Sequence, residues 1–251
     1  MGIVKRGGGK PIIFVDLKGK PKEALDEEGK KYHGAFVASF PDKTSQVLHG
    51  GDALVGHITS IEVNDRELKD GTIAELRVTL DDPEAPERVR MQASLGQYVG
   101  TGDAREFVPS FHGAKLVALL NGVDLSQPVR MFAGAIMSGD KMPDGTPAER
   151  DLVWFSARQG ERREDNSDRV VAKYADGSSD LGEQYVTSFR GKKAINPEGA
   201  ELLHKTLQQL CVRLDEYTQG QRDHVAEDDG VSAEAVHAAA NVASERQAMR
   251  G

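Results

Sequence analysis

"SFHGAKLVALLNG" (110–122) is where the apolar pattern of this 251-residue chain changes period. Phe111, Ala114, Leu116, Leu119 and Leu120 fall near one side of a helix. Pro109 and Ser110 predict its start, and Asn121-Gly122 its stop. On both sides of this stretch the period is two, the mark of strands. Upstream, "ALVGHITSIEV" (53–63) is a long strand candidate, with Gly56 inside it marking a bulge or bend. "TIAELRVTL" (72–80) sets Leu76, Val78 and Leu80 against Arg77 and Thr79. "RVRMQASLG" (88–96) sets Val89, Met91 and Ala93 against Arg88, Arg90 and Gln92. Downstream come "PVRMFAGAI" (128–136) and "DLVWFSARQ" (151–159), separated by a Gly/Asp/Pro-rich excursion. The order β–β–β–α–β–β predicts a mainly β fold: an OB-fold-like five-stranded barrel, whose helix lies between its third and fourth strands.

Further out, "PIIFVDL" (11–17) and "YHGAFVASF" (32–40) predict an N-terminal hairpin. "DRVVAKYADG" (168–177) and "EQYVTSFRGKK" (183–193) read as a further β pair. Asn196-Pro197 is an N-cap residue followed by proline at the first helical position. Leu203, Leu207, Leu210, Leu214 and Tyr217 then form an amphipathic stripe, and Gly220 is the expected end. The stripe either docks on the chain's own barrel or pairs with a helix of another copy. Four regions follow: a basic arm and hairpin (1–52), the OB-like barrel with an extra hairpin (53–194), the helix (195–220) and an acidic tail (221–251).

Composition narrows the function class. No apolar run approaches the ~18 residues of a membrane span, and the N-terminus has no signal-peptide pattern, so a cytoplasmic protein is expected. A single cysteine, Cys211, excludes an internal disulfide and makes a cysteine-based zinc site an unpromising reading. The net charge of −8 argues against nucleic acid, but its distribution matters more than its sum. Residues 1–22 hold six cations, Lys5, Arg6 and Lys10 among them, against Asp16 alone. Residues 215–251 hold eight acids and three arginines.

Signs of catalysis are missing. "RGGGKP" (6–11) lacks the phosphate-loop spacing and has no strand before it. The seven histidines show no metal-ligand spacing, and no nucleophile elbow occurs. No enzyme, cofactor or metal is expected. An enzyme with dispersed catalytic residues is the reading with least support.

The polar strand faces carry the positive signal. Arg77, Arg88, Arg90, Arg130 and Arg158 all lie opposite the apolar positions of their strands. Arg162, Arg163, Arg190, Lys192 and Lys193 extend the set. The bland alternative is a face laced with acid pairs, for which Glu75 and Glu87 are available. Phe132 shares the face of Arg130. Trp154 and Phe155 are neighbours, so a regular strand buries one ring and presents the other. An outward ring beside arginines suits single strands: cations neutralise phosphates and release counterions. A ring stacks on bases for about 1–3 kcal/mol each.

"FHGAKLVALLNGVDLSQPVRMFAGAI", with "RDLVWFSARQGERR" and "DRVVAKYADG", resembles phage-encoded single-stranded DNA-binding proteins. In particular it is similar to the Drc-like ssDNA-binding RNA polymerase cofactors of podophages. The likeness covers about residues 50–190. It implies non-sequence-specific ssDNA binding in phage replication or transcription inside an infected bacterial host. It also implies assembly of copies on DNA, and for the cofactor subset contact with a phage RNA polymerase. The family's acidic tail with a terminal aromatic has no counterpart in "ERQAMRG" (245–251), and the acids lie further in, at 223–229. The contrasting expectation is an assembly protein that oligomerises through its barrel and C-terminal helix without nucleic acid.

Overall fold

The computed structural model describes residues 10–68, 71–100, 105–142, 145–161, 163–189 and 192–228. For 188–189, 192–193 and 222–228 it describes the backbone alone. The chain divides into two compact units, Met1–Leu210 and Cys211–Gly251. Strand outweighs helix, 47% against 20%, so the fold is mainly β as expected.

The frame is a meander of three long antiparallel strands, β4 (Ala53–Leu68), β5 (Gly71–Asp81) and β6 (Arg88–Val99). Their alternation buries Leu76, Val78, Leu80 and Met91 completely or nearly so. Each such side chain contributes roughly 1.5–3 kcal/mol. β8 (Val129–Ile136) and β9 (Leu152–Gln159) form a hairpin that joins the meander through β4. β4 pairs with β8 over Ala53–Gly56 and with β5 from His57 onward. Gly56 sits at this change of partner with φ +150, and a Cβ there would lie 3.0 Å from the Asp81 backbone. Gly56 thus marks the change of partner, and the expected bulge falls just beyond it, between Ile58 and Ser60.

The N-terminal strands are built into the same sheet. β1 (Ile12–Leu25) pairs antiparallel with β2 (Lys31–Ser39) and parallel with β6, Ile12 to Leu17 against Arg88 to Ala93. Two short strands escape the sequence pattern. β3 (Ser45–Val47) pairs with β2, and β7 (Glu106–Pro109) pairs with the end of β6. The order β3-β2-β1-β6-β5-β4-β8-β9 is one mixed sheet that is not closed. β1 occupies the edge of β6 that closure of a five-stranded barrel would need.

α1 (Phe111–Asn121) starts where expected: the Ser110 hydroxyl accepts from the Gly113 N–H at 2.9 Å. It is buried nearly all round, with Leu116, Val117, Ala118 and Leu120 at 0% exposure, whereas Phe111 is 41% exposed and leaves the core. Gly122 caps it with a right-handed φ of −82, not the left-handed form. Glycine is needed there because a Cβ would meet the Val171 carbonyl oxygen.

The expected pairing of 168–177 with 183–193 is not formed. Residues 168–175 instead run past three elements: Val170 N–H donates to Ala157 O, and Lys173 N–H to Ala118 O at the end of α1. Ala175 N–H donates to Thr206 Oγ1 at 3.0 Å. The carbonyls of a buried helix end need donors: Gly122 and Val123 supply most of them, and Lys173 adds one to Ala118 O. Among the described residues β10 (Val186–Phe189) and β11 (Lys192–Ile195) pair only with each other.

α2 (Pro197–Asp228) begins at the expected cap, Gly199 N–H donating to Asn196 Oδ1 at 2.8 Å. It runs through Gly220 to Asp228, so that glycine does not end it. Within the first unit Leu202, Leu203, Thr206 and Leu210 are buried, so this part of the stripe docks on its own chain. No helix among the described residues is long and apolar enough to cross a membrane.

Candidate nucleic-acid interface

Register settles which ring faces outward. On β8 and β9, Ala133 opposes Phe155 and Gly134 opposes Trp154. Ala133 and Phe155 are buried, and Phe155 meets the His112 ring edge-on at 6.0 Å. Trp154 is outward and 38% exposed. A Cβ on Gly134 would lie 2.6 Å from its Cζ2, so only glycine lets the indole rest on the neighbouring strand. Phe132, half-buried, opposes Ser156 on the same face, one step along from the indole.

The next step along the two strands brings Arg130 opposite Arg158, and Arg130 opposite the exposed Val55 of β4. The same outward face continues through His57, which opposes Asp81 on β5. There Thr79 opposes Arg90, and Arg77 opposes Gln92. All five strand arginines expected on the outer face thus lie on it.

Most of them are not free. Three carboxylates each bracket two cations. Glu75 holds Arg77 Nε at 2.9 Å and Arg66 Nη1 at 3.3 Å. Asp81 holds Arg88 Nε at 2.7 Å and Lys10 Nζ at 3.0 Å. Asp168 holds Arg158 Nη1 at 2.9 Å, with Arg130 Nη2 at 3.9 Å. Arg158 also reaches Asn166 Oδ1 at 3.0 Å, and Arg130 donates to the Gly160 carbonyl. The acid-laced face weighed from sequence is present in part: each of these carboxylates faces two cations, while Glu62 opposes Arg77 across β4–β5 and Asp165 lies close enough to Asp168 to feel its charge. Enclosure alone pushes the Asp81 carboxyl up. The hydrogen bond from Lys10 and the charge of Arg88 outweigh it and hold Asp81 below the usual carboxylate range. The same balance, with Arg158 as the main opposing partner, lowers Asp168.

Arg90 differs. It has no ion pair among the described residues, touches Thr79 Oγ1 at 3.4 Å and lies 6.0 Å from the Phe14 ring. Phe14 is 40% exposed and opposes Arg90 across the β1–β6 pair. Sequence reading missed this second ring, although the alternation in "PIIFVDL" sets Phe14 opposite in parity to the buried Val15. It also missed Arg66 and the carboxylates Asp81 and Asp168, whereas Glu75 is one of the two acids named from the sequence and does pair with Arg77. Arg163 is exposed, 3.4 Å from Ser167 Oγ. Lys5, Arg6, Arg162 and Arg190 lie outside the described residues, as do the side chains of Lys192 and Lys193 on β11. Lys10, expected in a flexible arm, is tied to Asp81 and to the Asp82 carbonyl at 2.6 Å.

Behind the site, half-buried His112 reports on packing. Burial first, then the charge of Lys115, push its imidazole below the ordinary value of 6.5. The folded state therefore favours the neutral ring, while the unfolded chain takes up a proton first as pH falls. The stabilisation is complete above about pH 6.5 and is lost below it, levelling off under the folded value. We expect the denaturation midpoint to fall between about pH 7 and pH 5.5, and less so in His112→Gln. An equal slope in the variant would assign the effect to other groups.

Among the described residues no cluster of His, Cys, Asp or Glu could hold a metal ion. Comparison of the chain with protein families, curated proteins and solved structures finds no match.

Proposed function

We propose that this protein binds single-stranded DNA without sequence preference on an OB-like curled sheet, without catalysis, in phage DNA replication or transcription. The carrying observation is the outward indole of Trp154, resting on Gly134, with Phe132 and the Arg130–Arg158 pair on the same face. Bases stack on Trp154 and Phe132. Phosphates are met by the arginines of the carboxylate clusters and by Arg90, which has no ion pair among the described residues. Lys5 and Arg6 add to the basic N-terminal segment. A net charge of −8 does not oppose this, because a local field and counterion release decide binding. The resemblance to podophage RNA polymerase cofactors supports a polymerase partner and assembly of several copies on DNA.

The test is a fluorescent oligonucleotide of about 30 bases titrated across a salt series, with Trp154 emission followed in parallel. We expect affinity to fall steeply with salt, by a slope of roughly 0.7 per phosphate contacted, and the indole to be quenched. Arg90→Ala should lower that slope by about one contact and weaken all sequences alike. Absence of binding at low salt would overturn the proposal.

A further inference from the structure

Several stretches of strand edge have no partner among the described residues, and two of them, on β1 and β4, are treated differently by the chain. Beyond Leu17, β1 has lost β6, and the open run carries Lys18, Lys20, Pro21 and Lys22. Lysine and proline are the usual guards of an open edge. β4 has lost β8 after Gly56, and from Thr59 to Leu68 its outer edge is open. That run, "TSIEVNDREL", carries no lysine and no proline, and Val63 and Leu68 on it are 43% and 48% exposed. Its only guards are the charges of Glu62, Asp65, Arg66 and Glu67, and an open edge of this length accepts a strand whose charges are complementary to them.

The side chains there are complementary to themselves. An antiparallel copy centred on Asn64 sets Glu62 of one chain opposite Arg66 of the other, twice over. Glu62 is exposed with no ion pair among the described residues, and the Arg66 side chain is 56% exposed. Asn64 meets Asn64, and an amide both donates and accepts. A centre one residue on would oppose Asp65 to Asp65, like charges face to face, which is unfavourable. A centre one residue back would oppose Arg66 to Ser60 and leave Glu62 without a cation.

We infer that two copies of this chain associate through the open edge of β4, antiparallel and centred on Asn64, as a two-fold dimer. The interface is isologous, so each residue is used twice. The inference shares Arg66 with the Glu75 cluster but does not require DNA binding, and it is tested without nucleic acid.

Sedimentation equilibrium of the full chain is expected to give a particle of twice the 27.2 kDa chain mass. Glu62→Arg opposes two cations at each end of the interface and should raise the dimer dissociation constant at least tenfold. Arg66→Glu opposes two anions and should do the same. Mixed in equal amounts, the two variants restore opposite charges at both contacts and should dimerise with each other. Arg66 also touches Glu75, so Arg66→Glu is first checked for an unchanged far-UV spectrum and melting curve. If it fails that check, Glu62→Arg alone decides the question. A monomeric wild-type chain across the concentration range would overturn the inference, as would a dimer that Glu62→Arg leaves intact.

Discussion

Trp154→Ala is expected to weaken single-stranded DNA binding by about 5- to 150-fold, the ~1–3 kcal/mol of one stacked base. The melting temperature should change little, because the indole is outward and 38% exposed. Trp154→Phe should recover part of the affinity, since any flat ring stacks. The neighbouring ring gives the contrast. Phe155 is 6% exposed and packs on His112, so Phe155→Ala should cost about 3–5 kcal/mol of stability. Titration of a labelled oligonucleotide alongside thermal unfolding separates the two effects. If Trp154→Ala binds as tightly as the wild type, the stacking role assigned to this residue is wrong. If neither protein binds, the function is.

Gly113→Ala is expected to destabilise the fold by about 1–3 kcal/mol, although helix propensity alone credits alanine with about 1 kcal/mol over glycine. A Cβ at 113 would lie 2.6 Å from both Cα and O of Leu95, which are backbone atoms of β6. Backbone in the middle of a sheet cannot step aside as a flexible side chain can, so α1 must lift away from β6. Gly220 in α2 is the control. A Cβ there meets nothing within 4 Å, so Gly220→Ala should stabilise the chain by roughly 0.5–1 kcal/mol. Denaturant midpoints at unchanged slope measure both. A stabilised Gly113→Ala would mean that the close approach of α1 to β6 is not required.

These two glycines look alike in the sequence, and the difference between them marks what could be read there. Features set by near neighbours were legible. The change of period at 110 foretold α1, the serine before it foretold the cap, and Asn196-Pro197 foretold the start of α2. Parity within each strand placed five arginines on the outer face before any pairing was known. Contacts between distant segments were not legible. Asp81 binds Lys10, 71 positions away, and no local pattern joins them. The parallel pairing of β1 with β6 joins segments about 76 residues apart, and it left the sheet open where element order had suggested closure. "DRVVAKYADG" has a strand-like pattern, yet it lies against β9, the end of α1 and α2, where Lys173 N–H adds a second donor to the Ala118 carbonyl that Gly122 already caps.

The adjacent rings show the same division. By itself the sequence determined that one of Trp154 and Phe155 faces the core and the other does not, since side chains alternate along a strand. Only the tertiary structure decided which. α1 brings His112 against one face of β9, where Phe155 fits, and on the other face Gly134 leaves a flat place for the indole. Alternation is a property of one strand. The choice of side depends on what the rest of the chain packs against it.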